Sequence, residues 1–197
     1  MDENNTIMAF TFHKTSIEGL VLIEPHVFED ERGYFIKDFE KNVFAANGLP
    51  DFVIESNESK SRKGTIRGLH FQQKHSQGKL IRVIRGAVYD VAVDLRFGSP
   101  TFGKWEGFEL TESNHLELFI PKGFAHGYLA LADDSVFSYK CSDIYAPEFD
   151  SGIRYDDPDI NVRWPFERVG LENIITSAKD AKLQSFSEFV RKGQAIE

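Results

Sequence analysis

The stretch KLIRVIRGAVYDVAVDL, residues 79–95, decides the fold class of this chain. It holds two apolar runs rich in β-branched residues, and the turn residue Gly86 separates them. Runs of this length and composition predict two short strands, Lys79–Arg85 and 87–95, rather than one helix. In the second strand every odd position is apolar, so we expect that face to pack on a core.

Short strands of the same kind recur along the rest of the chain. They are separated by clusters of Gly, Pro, Asn, Asp and Ser, which favour turns. Many short strands at close spacing indicate an antiparallel sheet that curls to hide its edges. We therefore expect an all-β fold, an antiparallel sandwich or jelly-roll barrel. The remaining predicted strands are residues 20–23, 34–39, 52–56, 104–110, 115–120 and Ser135–Cys141.

Only two stretches have the pattern of a helix. Residues 40–47 are followed by Gly48 and then Pro50, which are typical signals for the end of a helix. The second stretch lies near residues 185–192. We expect one short helix after the first strands and a helical tail at residues 181–197.

Length and composition exclude several classes of protein. The chain has 197 residues, of which 41% are hydrophobic, and this is too apolar for a disordered protein. Its net charge of −8 argues against a general binder of nucleic acid or acidic membranes. No apolar run approaches the roughly 18 residues that a transmembrane helix needs, and the start lacks a secretory pattern. We expect one cytoplasmic domain, 1–197, with residues 1–9 as a flexible extension.

Two polar side chains fall on strand faces that are otherwise apolar. Lys79 shares the parity of Ile81, and Tyr139 shares that of Phe137 and Cys141. An inward lysine and tyrosine are what a polar pocket in a barrel mouth requires. Spacing alone favours the plainer interpretation, a core tyrosine and a strand-end lysine whose amine reaches water.

The histidines do not form a recognisable metal motif. Metal-binding barrels typically use a His-x-His pair, and none occurs here. His70 and His75 are five positions apart with no helical pattern to bring them together, so we expect no metal site. Glycine-rich dinucleotide and Walker motifs are also missing, so we expect no such cofactor. The single cysteine, Cys141, excludes an intramolecular disulfide and is expected in the core.

Two arginines stand directly before glycines, Arg32 before Gly33 and Arg67 before Gly68. An arginine at a turn can present several donors to a phosphate, and a neighbouring glycine permits close approach. Two turn arginines in salt bridges explain the same pattern at least as well.

Eight motifs occur in order along most of the chain. They are DERGYF (30–35), GTIRGLHFQ (64–72), QGKLIRVIRG (77–86), YDVAVDLR (89–96), SPTFGKW (99–105), FIPKGFAHGYLAL (119–131), YKCSDIY (139–145) and GIRYDDPDINVRWP (152–165). Together they resemble the dTDP-4-dehydrorhamnose 3,5-epimerase family, over a range from about residue 12 to residue 180.

The resemblance implies a cupin-like jelly roll that acts as a homodimer without cofactor or metal. Its substrate would be a dTDP-4-keto-6-deoxy sugar, inverted at C3 and C5 on the route to L-rhamnose. By motif, His70 matches the family's general base and Tyr139 its general acid. Asp180 matches the carboxylate that orients the base, and Lys79 the lysine beside the C4 oxygen. The matched substrate-binding positions are Arg32 and Arg67 (diphosphate), Tyr145 (thymine stacking), Phe35, Glu55, Asn57, Gln72, His126, Asp150 and Lys179.

These residue types suit the chemistry of the implied reaction. Removing a proton next to a ketone leaves an enolate, and a neutral imidazole held by a carboxylate is a suitable base. A cationic Lys79 would stabilise the developing oxyanion. Because inversion returns the proton from the opposite face, Tyr139 should stand across the sugar ring from His70.

Three positions depart from the family pattern. Lys37 stands where Glu is usual, Glu55 where Gln is usual, and Asp150 where Glu is frequent. We hypothesise that Lys37 and Glu55 form a charge pair; the alternative is that Lys37 points to solvent. These departures leave open which deoxysugar is used and whether both centres are inverted.

Three other functions remain open from the sequence. One is a single-centre epimerase acting on another dTDP-4-keto-deoxysugar. Another is a non-catalytic carbohydrate-binding jelly roll, which should lack the proposed acid and base. The third is a metal-dependent cupin, which the missing His-x-His pair opposes.

Overall fold

Two antiparallel sheets face each other and form a barrel in the computed structural model, which describes residues 9–51, 53–193 and 196–197. In chain order the strands are β1 (Phe10–Lys14), β2 (Val21–Pro25), β3 (Val27–Asp30), β4 (Gly33–Ile36), β5 (Glu55–Ser61), β6 (Ile66–Gln72), β7 (Lys79–Arg85), β8 (Ala87–Asp94), β9 (Trp105–Thr111), β10 (Glu117–Ile120), β11 (Phe124–Ala130), β12 (Ser135–Cys141) and β13 (Asp150–Gly152).

The strand order explains which residues can meet across the barrel. One sheet has six strands in the order β1-β2-β10-β7-β12-β5, and the other has five in the order β13-β6-β11-β8-β9. Strands β3 and β4 form a separate hairpin that belongs to neither sheet. The predicted all-β jelly-roll architecture is confirmed.

The two predicted helices are also confirmed, with their ends shifted by one residue or less. Helix α1 spans Lys41–Ala46 and helix α2 spans Phe186–Lys192. Ser185 caps α2, because its hydroxyl accepts a hydrogen bond from the Glu188 N–H at 3.1 Å. Gly193 ends the helix in a left-handed conformation, φ 58°. No helix among the described residues is long and apolar enough to cross a membrane.

Three apolar clusters hold the barrel together. The first, the interior cluster, fills the space between the sheets, with Ile81 and Phe137 from one sheet and Val88 from the other. The second, the outer cluster, lies under the C-terminal segment, where Phe189 covers the outer face of the five-stranded sheet. The third lies between the six-stranded sheet and α1, around Phe44. Strand β8 is therefore buried on both faces, and its odd positions pack on the outer cluster as predicted.

Several predicted strand limits are wrong. The predicted strand 52–56 begins at a residue outside the described part of the chain, and β5 instead runs from Glu55 to Ser61. Its sequence, ESNESKS, is polar because β5 is an edge strand. The predicted strand 34–39 ends already at Ile36. Strands β1, β3, β6, β11 and β13 were not predicted, and β6 and β11 carry polar and glycine residues that interrupt an apolar pattern.

The expected flexible extension, residues 1–9, lies outside the described residues except for Ala9. The Ala9 carbonyl accepts a hydrogen bond from the His26 N–H at 2.8 Å. The predicted C-terminal tail, 181–197, contains α2 and, apart from residues 194 and 195, lies within the described part. Its last residue, Glu197, pairs through its backbone with Gln73 and Ser76.

The ion pair between the buried Asp94, at the end of β8, and Arg96 provides a test of stability. Burial of the Asp94 carboxyl opposes its ionisation, but hydrogen bonds from Arg96, Ser99 and Thr101 outweigh this effect and lower its pKa to about 2. We expect Asp94→Asn to lower the free energy of unfolding at pH 7 by about 2–3 kcal/mol, because a buried partner of Arg96 is lost. Urea denaturation measures this loss.

The same variant has a defined pH dependence. The folded pKa of Asp94 lies below its usual value of 3.8, so its stabilisation is complete above pH 3.8 and is lost as the pH falls towards about 2. Asp156→Asn is the matched control, since Asp156 also pairs with an arginine two residues away but in a more exposed position. Equal losses in both variants, or a constant loss down to pH 2, would contradict this account.

Candidate active site

A cavity of about 740 Å³ opens between the two sheets. Its walls come from β5, β7 and β12 of one sheet, from β6 and β11 of the other, and from the segment that leads into α2. Of the residues that the sequence analysis matched to catalytic and substrate-binding positions, all except Arg32 and Phe35 line it. They are Glu55, Asn57, Arg67, His70, Gln72, Lys79, His126, Tyr139, Tyr145, Asp150, Lys179 and Asp180.

A histidine–carboxylate pair lies on one wall of the cavity. His70, on β6, donates from Nε2 to Asp180 Oδ1 at 2.8 Å. Asp180 is buried and also accepts a hydrogen bond from the Gly68 N–H at 3.3 Å. Burial opposes ionisation of Asp180, but His70, Gly68 and Ser177 stabilise the carboxylate and hold its pKa below the usual value. A carboxylate that accepts from Nε2 leaves Nδ1 of His70 as the unprotonated nitrogen, which can act as a base.

Lys79 and Tyr139 belong to the opposite sheet. They lie on the neighbouring strands β7 and β12, and the ring of Tyr139 packs against the interior cluster. The inward direction predicted from strand parity is therefore confirmed. Burial raises the pKa of Tyr139, so its phenol stays protonated and can donate a proton. Burial lowers the pKa of Lys79, and the nearby charges of Cys141, Asp90 and Asp150 oppose that effect.

A second histidine–carboxylate pair lies beside His70. His126 faces His70 in the register of β11 and β6, and its Nε2 lies 2.9 Å from Asp90 Oδ2. Burial lowers the pKa of His126, while Asp90 acts in the opposite direction. Sequence reasoning missed Asp90. The available signal was an aspartate within the otherwise apolar strand β8; the structure shows that it is fully buried.

Tyr145 stands at the mouth of the cavity, where hydrogen bonds fix both its backbone and its hydroxyl. Its hydroxyl donates to Asp150 Oδ2 at 2.8 Å, and its backbone N–H donates to Glu55 Oε1 at 2.7 Å. Lys179 also pairs with Asp150. The hydrogen bond that Tyr145 donates to Asp150 raises the pKa of Tyr145, and the one that Lys179 donates to Asp150 raises the pKa of Lys179. A fixed ring that is about half exposed, 53%, offers a surface for stacking a planar base.

Gln72 lines the cavity but its amide is already engaged. Its nitrogen donates to the carbonyls of His75 and Ile144, and its oxygen accepts from the Ala146 N–H at 2.7 Å. Gln72 therefore holds the loop that carries Tyr145. Asn57 lies opposite Tyr139 in the register of β5 and β12.

Arg32 and Phe35 do not line the cavity of the chain that carries them, which corrects the sequence-based expectation for a single chain. Both lie on the β3–β4 hairpin, which forms a separate two-stranded sheet. The Arg32 side chain is 85% exposed and pairs with Asp30 at 2.5 Å. Phe35 is 64% exposed. Sequence spacing could not show that this hairpin pairs with neither sheet.

The hypothesis of a Lys37–Glu55 charge pair is wrong. Lys37 Nζ instead pairs with Glu40 Oε2 at 2.5 Å, at the start of α1. Glu55 accepts from the backbone of Tyr145, as described above, and the ion pairs of residues 9–51, 53–193 and 196–197 include none between Lys37 and Glu55. Lys37 and Glu55 are therefore separate departures from the family pattern, and of these two residues Glu55 lines the cavity whereas Lys37 does not.

No group of three or more His, Cys, Asp or Glu side chains among the described residues is arranged to hold a metal ion. Cys141 is buried, as expected, and burial raises the pKa of its thiol.

Comparison with known proteins gives consistent matches. The family model described as dTDP-4-dehydrorhamnose 3,5-epimerase matches residues 14–188. The dTDP-4-dehydrorhamnose 3,5-epimerase of Methanothermobacter thermautotrophicus is 51% identical over 179 residues, which cover 91% of this chain and 96% of that protein.

Two solved structures are informative neighbours. A 3,5-epimerase of Legionella pneumophila, in complex with dTDP-4-keto-L-rhamnose, is 40% identical with a TM-score of 0.89, covering 95% of this chain and 98% of that one. A 3'-monoepimerase of Streptomyces bikiniensis, in complex with dTDP-quinovose, is 32% identical with a TM-score of 0.83, covering 93% of this chain and 91% of that one.

Proposed function

Because this chain belongs to the dTDP-4-dehydrorhamnose 3,5-epimerase family, we propose that it converts dTDP-4-dehydro-6-deoxy-D-glucose into dTDP-4-dehydro-L-rhamnose by inverting C3 and C5. The observation that carries this proposal is the placement of the His70–Asp180 pair and of Lys79 and Tyr139 on opposing sheets around one cavity. A non-catalytic carbohydrate-binding barrel does not require such a set.

The first step is removal of a proton next to the ketone. His70 takes the proton on the nitrogen that Asp180 leaves free, and the carboxylate stabilises the imidazolium that forms. The electron pair of the broken C–H bond moves onto the C4 oxygen and gives an enolate. Lys79 stabilises that oxygen with its positive charge, so the negative charge has a partner inside the cavity.

The second step returns a proton to the same carbon from the other face. Tyr139 lies on the sheet opposite His70 and keeps its phenolic proton, because burial raises its pKa. It donates that proton as the enolate collapses to the ketone. Solvent then restores the proton of Tyr139 and removes the one on His70, so each inversion is balanced without any electron acceptor.

The nucleotide part of the substrate has a matching set of residues at the cavity mouth. Tyr145 offers the stacking surface for thymine, and Arg67 and Lys179 supply positive charge for the diphosphate. Glu55 and Asp150 fix Tyr145, and Asn57 and His126 face the sugar. We also propose a cytoplasmic location, because nucleotide sugars are made there.

We expect activity to survive exhaustive treatment with EDTA. The proposed mechanism assigns the stabilisation of the enolate to Lys79, so no step requires a metal ion. The measurement is the initial rate before and after chelation. Loss of activity that one added metal restores would support a metal-dependent mechanism instead.

A homodimer would explain the exposed hairpin. The β3–β4 hairpin presents Phe28, Tyr34 and Phe35 to solvent, and an isolated two-stranded hairpin has little stability of its own. We propose that it packs against a second copy of the chain and brings Arg32 to the cavity of that copy. In this arrangement Arg32 would reach the diphosphate, as the family resemblance implies.

Mixed dimers test the proposed role of Arg32. Arg32→Ala alone should raise KM, and His70→Asn alone should be inactive. When the two variants are refolded together, each mixed dimer should contain one cavity with both His70 and Arg32 intact. Activity at low substrate should then recover to about a quarter of the wild-type value, since about half of the dimers are mixed. No recovery would show that Arg32 does not act across a dimer interface.

A further inference from the structure

A chain of hydrogen bonds in the cavity wall leads to Arg67, and its other members have no part in the mechanism described so far. Arg67 Nε donates to Ser61 Oγ at 3.2 Å, and Ser61 Oγ lies 3.0 Å from the hydroxyl of Tyr128. The same hydroxyl lies 3.0 Å from Ser59 Oγ. The serines belong to β5, and Arg67 and Tyr128 to β6 and β11, so the chain connects the two sheets.

The direction of the hydrogen bonds follows from the available protons. A guanidinium only donates, so Ser61 must accept from Arg67. Ser61 is 5% exposed, and its own proton has Tyr128 as hydroxyl partner. Tyr128 has one proton, which then goes to Ser59. In the order Arg67 to Ser61 to Tyr128 to Ser59, each of the first three groups donates to the next.

Tyr128 is buried and packed, whereas Arg67 is exposed and has few contacts. Tyr128 is 3% exposed, and its ring stacks on Phe137 with centroids 4.3 Å apart. Arg67 is exposed within the cavity, and no carboxylate of the described residues forms an ion pair with it. Among the described residues, its other hydrogen bond is longer, 3.5 Å, and goes to the carbonyl of Lys60. The Ser61 hydroxyl is therefore the main contact that fixes the direction of the guanidinium.

We propose that Ser61, held by Tyr128, is a positioning residue that orients Arg67 for the diphosphate of the substrate. This inference rests on the diphosphate-binding role of Arg67 in the proposed function. A flexible side chain that is already oriented loses less conformational freedom when the ligand binds. The loss of Ser61 should therefore appear in KM and in nucleotide affinity, and kcat should remain near the wild-type value.

The test measures binding of dTDP by calorimetry to four proteins: the wild type, Ser61→Ala, Arg67→Ala and the double variant. We expect Arg67→Ala to weaken binding about 10- to 100-fold and Ser61→Ala about fivefold, as is typical for charge-assisted and positioning hydrogen bonds. Because Ser61 acts through Arg67, the double variant should bind no more weakly than Arg67→Ala. In steady-state assays Ser61→Ala should raise KM about fivefold.

Two further variants serve as controls. Ser76→Ala removes a serine that is equally buried and accepts one N–H, from Gly123 at 3.0 Å, but lies outside the cavity. It should bind dTDP like the wild type. Tyr128→Phe keeps the stacked ring and removes only the hydroxyl that holds Ser61. It should weaken dTDP binding in the same direction as Ser61→Ala, and it replaces that variant if the latter does not fold.

Three results would overturn parts of this account, and they are distinguishable. Wild-type affinity in Ser61→Ala or, if that variant does not fold, in Tyr128→Phe would show that Arg67 needs no positioning. Additive losses in the double variant would show that Ser61 acts independently of Arg67. Wild-type affinity in Arg67→Ala would instead remove the diphosphate-binding role itself, and the positioning role with it.

Discussion

His70→Asn is expected to abolish both the inversion of the substrate and the exchange of its hydrogens with solvent. His70 is the proposed base for proton removal, and asparagine cannot take a proton at neutral pH. Acid–base groups typically contribute about 10²- to 10⁴-fold, so the rate should fall at least that far. The measurement combines the rate of product formation with the appearance of deuterium in substrate incubated in heavy water.

The variant should keep its fold and its nucleotide site. Asparagine retains an amide donor that can face Asp180, and dTDP should therefore bind as in the wild type. His75→Asn is the matched control, because His75 also pairs with an aspartate, Asp143 at 3.5 Å, but lies outside the cavity. Residual exchange in His70→Asn above the level without enzyme would show that another group is the base.

Tyr139→Phe is expected to separate exchange from inversion. With His70 intact the enolate still forms, and His70 can return a deuteron from its own side. Without the phenolic proton on the opposite face, inversion should fall by about 10²- to 10⁴-fold. The substrate recovered from heavy water should therefore carry deuterium at carbons whose configuration has not changed, which NMR can show.

The fold of this variant should be preserved, since phenylalanine keeps the ring against the interior cluster. Tyr89→Phe provides a matched control, because Tyr89 packs on the outer cluster beneath the C-terminal segment. Inversion at the wild-type rate in Tyr139→Phe would assign the acid to some other residue. Loss of exchange together with inversion would mean that Tyr139 is needed before the enolate forms.

Regular strands were the part of the fold that the sequence could predict. Lys79–Arg85 and Ser135–Cys141 have the limits expected from their apolar runs. Strand β5 was misplaced because it is polar, lies at a sheet edge and uses alternate residues to line the cavity. Alternation of apolar and polar residues marks a strand that has one face on an apolar core. A strand that faces a polar cavity lacks this alternation, so it is hard to predict from the sequence.

Pairs formed between distant parts of the chain could not be predicted from residue spacing. Asp180 meets His70 across 110 positions, and only the family resemblance indicated that pair. Asp90 was missed because the apolar odd positions of β8 indicated the core-facing side, whereas the even positions face the space between the sheets. The exposed position of Arg32 was also not predictable, because the residues of a turn do not show whether the strands it joins pair with a larger sheet.

The central claim is that the protein moves protons at both C3 and C5 of its substrate. The most direct test incubates the wild-type protein with dTDP-4-dehydro-6-deoxy-D-glucose in heavy water and follows each carbon by NMR. The account predicts deuterium at both C3 and C5 of an inverted product. Deuterium at only one of these carbons would identify a single-centre epimerase, and deuterium at neither would contradict enolate chemistry altogether.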